Sequence, residues 1–418
     1  VSATEPPAAP PATASPAGSL AADLAGRLAD LADQGLTRSL RLPAGLDFSS
    51  NDYLGLARDP ALRAALLARL ATLPEGEPLG APASRLLRGH TQVHAALERR
   101  LAAWKGTEAA LLFASGYQAN VGLLTALLGP RDRALSDAGN HASLIDGLRL
   151  AGCRRVVFPH LDLAAVAGEL ALPHPEGRTW LVTESLFSMD GDLAPLDRYA
   201  ELAARHGAEL IVDDAHATGL FGEARGSGLC EAFGVERRAA AIVSTLGKAV
   251  GLAGAFVAGS QLLVDYLVNR CRPFVFSTAP PPLLLHALDV ALDQMAAEPR
   301  RRRRTLALAE RLRRRLEALG VERPGGAGPI VPLVVGDNRR ALAAAERLAA
   351  LGFDVRAVRP PTVPPGTARL RISVHADHTE AEIDALAEAL AGAIAAPGPA
   401  GPVPPPATAG RPRVVEEP

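Results

Sequence analysis

Two acidic residues and a histidine close an apolar run in AELIVDDAHATG, where Asp213, Asp214, Ala215 and His216 follow a segment that reads as a buried strand. A carboxylate at a buried strand end needs a cationic partner or strong hydrogen bonds. A protonated pyridinium ring would be such a partner for Asp213, and that pairing turns a heterocyclic cofactor into an electron sink. Two other readings stay open on this segment alone. One is an Asp/His metal pair, although no further His or carboxylate stands at helical ligand spacing. The other is a side chain that caps the next turn.

Lysine usage adds a second candidate. The chain has 44 Lys and Arg residues, and only Lys105 and Lys248 are lysines. Arginine cannot replace lysine where an amine must lose its proton and attack a carbonyl. Lys248 follows a β-branched strand pattern in AAIVSTLGKAVGLAGA, within a glycine-rich loop that permits close backbone approach to a ligand. An amine desolvated there, near other cationic groups, has the lowered pKa that Schiff-base chemistry requires, and a surface-turn lysine is the plain alternative. Lys105, in AWKG, is expected at a helix end, serving the helix dipole and the solvent.

Ser115-Gly116-Tyr117 joins the strand pattern EAALLF to the helical pattern QANVGLLTALL. Free amides at a helix start, with a glycine and a hydroxyl beside them, suit a phosphate, though a plain strand-to-helix turn explains the tripeptide equally well. In SDAGNHASLIDG, His141 follows a strand pattern and opens a helix, so its imidazole could stack on a planar ring or simply cap the helix. GEARGSG and GLAGAFVAG do not match a dinucleotide-binding fingerprint and read as turn and close-packing glycines.

Positioning these residues requires a parallel sheet. Apolar runs at 108–115, 178–185, 208–215, 240–247 and 254–260 alternate with helical patterns, which predicts an α/β fold whose mostly parallel sheet is covered on both faces. Polar residues at strand ends are then the ones to inspect, because ligands of such sheets gather beyond the strands' carboxyl ends. After about residue 290 the pattern changes to a long Arg/Leu/Ala helix, strands at 330–336, 353–358 and 368–374, and helices at 338–351 and 379–394, a small α+β domain. The expected division is an Ala/Pro-rich disordered tail at 1–18, an N-terminal segment at 19–55, a large domain at 56–290, a small domain at 291–395 and a second disordered tail at 396–418.

At 418 residues the chain can bury a substantial core. Its three cysteines, Cys153, Cys230 and Cys271, lack the spacing of a disulfide framework or zinc knuckle. No signal-like start and no run of eighteen apolar residues is found, so a soluble cytoplasmic protein without membrane partners is expected. The formal net charge of −1 argues against nucleic acid as a partner, and the five arginines 300–304 read as the solvated start of a surface helix.

Taken together, FSSNDYLGL (48–56), SRLLRGHTQVHAALE (84–98), NHASLIDG (140–147), TESLFSMDGDLAPL (183–196), VDDAHATGLFG (212–222), STLGKAVG (244–251), FSTAPPP (276–282) and RPPTVPPGTARLRIS (359–373) resemble the α-oxoamine synthase family of pyridoxal 5'-phosphate (PLP) enzymes. The resemblance covers about residues 35–393. It implies a fold-type-I homodimer, with a mostly parallel seven-stranded sheet between helices and active sites at the subunit interface. It further implies that Lys248 carries PLP as a Schiff base, that Asp213 and His216 partner the ring nitrogen and the phenolic oxygen, and that His141 stacks on the ring. Gly116, Tyr117, Ser188 and Thr245 match cofactor and phosphate positions, and Ser277 and Thr278 match phosphate contacts reaching across from the other subunit. Arg371 matches the arginine that grips the amino-acid carboxylate, and Arg38, Asn51 and Thr362 match substrate-side positions. The pattern is nearest the branch that condenses L-alanine with a pimeloyl thioester of CoA or acyl-carrier protein. Glycine- or serine-using branches, and a non-catalytic binding protein of the same fold, are the alternatives. One departure stands out: GAPASR (80–85) carries Pro82 and Ala83 where many members have GxGGSR, near the expected thioester entrance.

Overall fold

The computed structural model describes residues 18–396, so the two expected tails lie almost wholly outside the described residues. Seven strands form the large sheet: β1 (Ala109–Phe113), β2 (Arg133–Asp137), β3 (Arg154–Phe158), β4 (Thr179–Glu184), β5 (Glu209–Asp213), β6 (Ala241–Thr245) and β7 (Ala255–Gly259). Their spatial order is β1-β7-β6-β5-β4-β2-β3. All neighbours are parallel except β7, which runs antiparallel to both β1 and β6. β1, β2, β4 and β7 are buried at every position between helical layers, β2 even at Arg133, Ser136 and Asp137. β3 is the exception, since only Phe158 of its RRVVF is buried, as suits an edge strand.

Register decides where the chemistry can sit. Glu184 pairs with Asp213, and Asp213 with Val243, so the carboxyl ends of β4, β5 and β6 finish along one edge of the sheet. Helices Gly116–Leu127 and Ala142–Ala151 cover one face, burying Leu123, Leu124, Leu144 and Leu148 against β1, β2 and β6. Each such buried leucine contributes about 1.5–3 kcal/mol relative to an exposed one.

A three-stranded antiparallel sheet of β8 (Ile330–Gly336), β9 (Arg356–Val358) and β10 (Ala368–Ser373) packs under helices Arg300–Ala318, Asn338–Ala350 and Glu380–Ala395. Phe48, from the start of the chain, is fully buried in this second core. The continuous run expected at 353–358 is in fact split. Phe353–Asp354 pairs with Leu46–Asp47, whereas Arg356–Val358 pairs with β10, so one segment joins two sheets.

Two readings of basic residues are corrected. The arginine run does open the helix Arg300–Ala318, but it is not wholly solvated. Arg301 pairs with Asp59 and Glu298 and donates to the Leu54 carbonyl at 3.1 Å, and Arg304 donates to the carbonyls of Ala376 and His378. Lys105 does end a helix, Gln92–Lys105, with Gly106 in the left-handed conformation after it, yet its side chain is fully buried rather than in solvent. Packing overrode the usual preference because a buried carboxylate, Asp214, waits at 2.7 Å. Among the described residues no helix is long and apolar enough to cross a membrane.

Candidate active site

Asp213 ends β5, buried, with Oδ1 accepting from the Ala215 amide at 3.0 Å and Oδ2 accepting from Asn120 Nδ2 at 2.6 Å. Asn120 lies on the helix Gly116–Leu127 and also reaches Ser143 Oγ at 2.9 Å, which in turn meets His141 Nδ1 at 2.8 Å. His141 is the N-cap of the helix Ala142–Ala151, as the sequence suggested, and accepts from the Ser143 amide. Its side chain is exposed by surface area, yet the surrounding atoms desolvate the ring and lower its pKa, with the Lys248 charge adding to the effect and Asp213 opposing it.

His216 is buried, and its Nδ1 meets the Tyr53 hydroxyl at 2.7 Å. Burial holds its pKa well below the ordinary value, reinforced by the charges of Lys248 and Arg371, so the imidazole is neutral near pH 7. Lys248 follows β6 in the loop after Thr245, as expected. Burial pulls its amine below the usual lysine range against the opposing charges of Asp213 and Glu184. Glu184, the end of β4, is fully desolvated and pushed upward by burial and by Asp213. One of its oxygens takes the Ser188 amide at 3.3 Å and the other has no hydrogen-bond partner.

Ser115 caps the helix Gly116–Leu127 through its hydroxyl, so the Gly116 and Tyr117 amides stand at the free helix start. A side chain on Gly116 would meet nothing closer than Thr245 Cβ at 3.9 Å, which places the end of β6 beside this amide pair. Thr245 Oγ1 donates to the Gly254 carbonyl and accepts from the Gly247 amide. The Tyr117 hydroxyl is held by Asp146 at 2.6 Å. Ser277 Oγ accepts from Gln118 Nε2 at 2.7 Å, and Thr278 forms an isolated β-bridge with Ser84. The departing loop at 80–85 is pinned there too, since the Ala83 carbonyl accepts from the Ala279 amide at 3.1 Å.

Arg371, on β10, is buried with its guanidinium spread over the Ser188 carbonyl at 2.6 Å, Ser373 Oγ at 2.9 Å and Asn51 Oδ1 at 3.1 Å, with Tyr53 at 3.4 Å. Asn51 thus joins the cluster through Arg371 and Tyr53. Arg38 and Thr362 lie apart from it. Both are exposed, with Arg38 on the Pro360 carbonyl at 3.2 Å and the Thr362 amide on the Arg359 carbonyl, so both contact the segment 359–362.

Sequence reading missed Asn120, Glu184, Tyr53 and Ser143. Glu184 carried the same signal as Asp213, a carboxylate closing an apolar strand, and could have been found. Asn120 is a polar residue on the buried side of an apolar helix, a weaker sign. Tyr53 gave no signal beyond its place in NDYLGL.

These residues fit PLP. Among the described residues no side-chain cation pairs with the buried Asp213, a place that a ring N–H⁺ fills. The paired amides at a helix start suit the phosphate, and a desolvated amine beside them suits the aldehyde.

The aminotransferase class I and II family model matches residues 43–390. A serine palmitoyltransferase from S. paucimobilis, solved with PLP bound, superposes with a TM-score of 0.80 at 29% identity, over 90% of this chain and 98% of that one. The chain belongs to the aminotransferase class I and II family, as a PLP-dependent enzyme of fold type I. Within that class, the chain is similar to several curated relatives that share one name. It is 50% identical over 357 residues to 8-amino-7-oxononanoate synthase of Anaeromyxobacter dehalogenans strain 2CP-1, covering 85% of this chain and 88% of that protein. The 8-amino-7-oxononanoate synthase of Francisella tularensis superposes with a TM-score of 0.71 at 25% identity, over 84% of this chain and 98% of that one.

Proposed function

We propose that this chain condenses L-alanine with a pimeloyl thioester, of CoA or acyl-carrier protein, to give 8-amino-7-oxononanoate, CO2 and the free thiol. It does so as a cytoplasmic homodimer. A bond forms between the alanine α-carbon and the acyl carbonyl, the thiol leaves, and the alanine carboxyl departs as CO2.

Bound PLP supplies an aldehyde that condenses with amines and a ring that accepts the electron pair released at the α-carbon. Lys248 would hold the cofactor through its amine, and the same amine, whose lowered pKa favours the role, would take the alanine α-proton. Asp213 would hold the ring nitrogen protonated, neutral His216 would meet the phenolic oxygen, and His141 would cover the ring. Gly116, Tyr117, Ser188 and Thr245 hold the cofactor and its phosphate, joined by Ser277 and Thr278 of a second copy. Arg371 takes the alanine carboxylate in a bidentate grip, oriented by Asn51. Arg38 and Thr362 would contribute on the substrate side.

One observation carries this reading: Lys248, in the loop after β6, follows the strand whose register aligns it with the ends of β4 and β5, where Glu184 and Asp213 stand. The similarity to a serine palmitoyltransferase keeps a serine-using reaction as the second reading. Titrating the visible absorption of the PLP-loaded protein with L-alanine, glycine and L-serine decides between them. The saturable change is expected to be strongest with L-alanine. A response dominated by serine would transfer the protein to the second reading, and no visible band after addition of PLP would overturn both.

A further inference from the structure

The second lysine lies behind the strand end that carries Asp213. Lys105 Nζ donates to Asp214 Oδ2 at 2.7 Å, to Thr218 Oγ1 at 2.9 Å and to the Ser227 carbonyl, so the three protons of the ammonium each have an acceptor. Both side chains of the Lys105–Asp214 pair are fully buried. The other oxygen of Asp214 accepts from Ser185 Oγ at 2.6 Å and from the Leu229 amide at 3.1 Å.

Backbone bonds extend the cage to the sheet. The Asp214 amide donates to the Val243 carbonyl, the Ser185 amide donates to the Asp213 carbonyl, and Thr218 Oγ1 meets Ser244 Oγ at 3.0 Å. Gly228 completes the wall, because a side chain there would collide with Asp214 Oδ2. The loop that presents His216 is therefore folded around one buried ammonium, bounded by the ends of β4, β5 and β6.

A planar guanidinium does not match three acceptors gathered around a point, whereas the compact ammonium does. That accounts physically for a lysine here in a chain that otherwise uses arginine.

We infer that Lys105 is a positioning residue: through Asp214 it fixes the directions in which Asp213 and His216 face the cofactor. The inference rests on the placement of Asp213 and His216 at the PLP ring given above. Lys105 touches neither cofactor nor substrate, and acts on them only through its neighbours.

The test uses the full chain, with PLP as the probe. The paired variant Lys105→Met with Asp214→Asn removes both charges together, so no uncompensated buried ion is left. It is expected to fold, to bind PLP about tenfold more weakly or worse, and to shift the pH midpoint of the visible band by about half a unit or more. Turnover number is expected to fall more than the KM for L-alanine rises. If the paired variant does not accumulate as folded protein, Thr218→Val, which removes one acceptor of the ammonium at nearly constant shape, is expected to shift the same midpoint in a smaller degree.

PLP affinity and midpoint within twofold and a tenth of a unit of the parent, in the folded paired variant or in Thr218→Val, would overturn the inference. Asp213→Asn, measured in parallel, separates the two levels. If it too leaves the band unchanged, the placement of Asp213 at the ring is what fails. If it alone shifts the band, only the role of Lys105 falls.

Discussion

Asn120 places its side-chain amide 2.6 Å from Asp213 Oδ2, the last link of a hydrogen-bonded path that begins at His141 and passes through Ser143. His141 and Asp213, proposed above to cover the ring and to pair with its nitrogen, are thereby joined by one hydrogen-bonded network, in which a change at one end alters the orientation of the other. Asn120→Ala removes a charge-assisted hydrogen bond worth about 1.5–3 kcal/mol. PLP affinity is expected to fall about ten- to hundredfold, with the far-ultraviolet circular dichroism unchanged. Titration of the PLP-free protein with PLP measures this, and an unchanged affinity would remove Asn120 from the site.

Lys248→Ala is expected to abolish turnover, because no other side chain offers an amine there and the only other lysine is locked in its own cage. Near-normal turnover in a discontinuous thiol-release assay would remove the core of the proposed mechanism. Asp213→Asn should fold and bind PLP but lose most activity, since an amide cannot balance the ring charge. Full activity in that variant would show that another group protonates the ring.

β1, β4, β5, β6 and β7 were legible because burial on both faces gives them mostly apolar runs. β2, whose buried residues include Arg133, Ser136 and Asp137, and β3, an edge strand with arginines at Arg154 and Arg155, were not among those runs, since polar residues dilute that signal. Asp213, His216, Lys248 and His141 stood out in the sequence because each lies at or just beyond the end of a strand or at the start of a helix, and the register of β4, β5 and β6 aligns the strand ends from which Asp213, His216 and Lys248 follow. Lys105 could not: a lysine before a helix-ending glycine normally points to solvent, and only the tertiary position of Asp214, 109 residues further on, reverses that preference. Arg371 shows the same limit, as its place in β10 was visible but its fan of contacts to Ser188, Asn51 and Tyr53 depends on two distant segments.

Those contacts make Arg371→Lys a severe change despite the retained charge. A lysine cannot span the Ser188 carbonyl and Asn51 while offering two parallel N–H groups to a carboxylate. The KM for L-alanine is expected to rise about tenfold or more, and the pimeloyl thioester KM much less. Steady-state kinetics with each substrate varied in turn checks this, and equal rises in both would place Arg371 outside the alanine carboxylate subsite.

His160 lies between two carboxylates, with Nδ1 on Asp137 at 2.6 Å and Nε2 on Asp192 at 2.9 Å, and its ring stands edge-on to Phe187. Both nitrogens donate only in the imidazolium form, and the two aspartates outweigh the opposing effect of burial to raise its pKa to about 10. The pair of bonds ties the end of β2 to the turn that contains Ser188. A group whose folded pKa is raised binds its proton more tightly in the native state, so its contribution is complete below the unfolded value near 6.5 and disappears as pH rises through about 10. With the ring 30% exposed, solvent screening reduces that contribution to the order of 2 kcal/mol. His160→Gln is therefore expected to lower the thermal midpoint clearly at pH 6, and the gap to the parent should close steadily toward pH 10.5. Differential scanning calorimetry of both proteins across this range is the measurement. A gap independent of pH would mean that His160 acts there as a neutral packing residue.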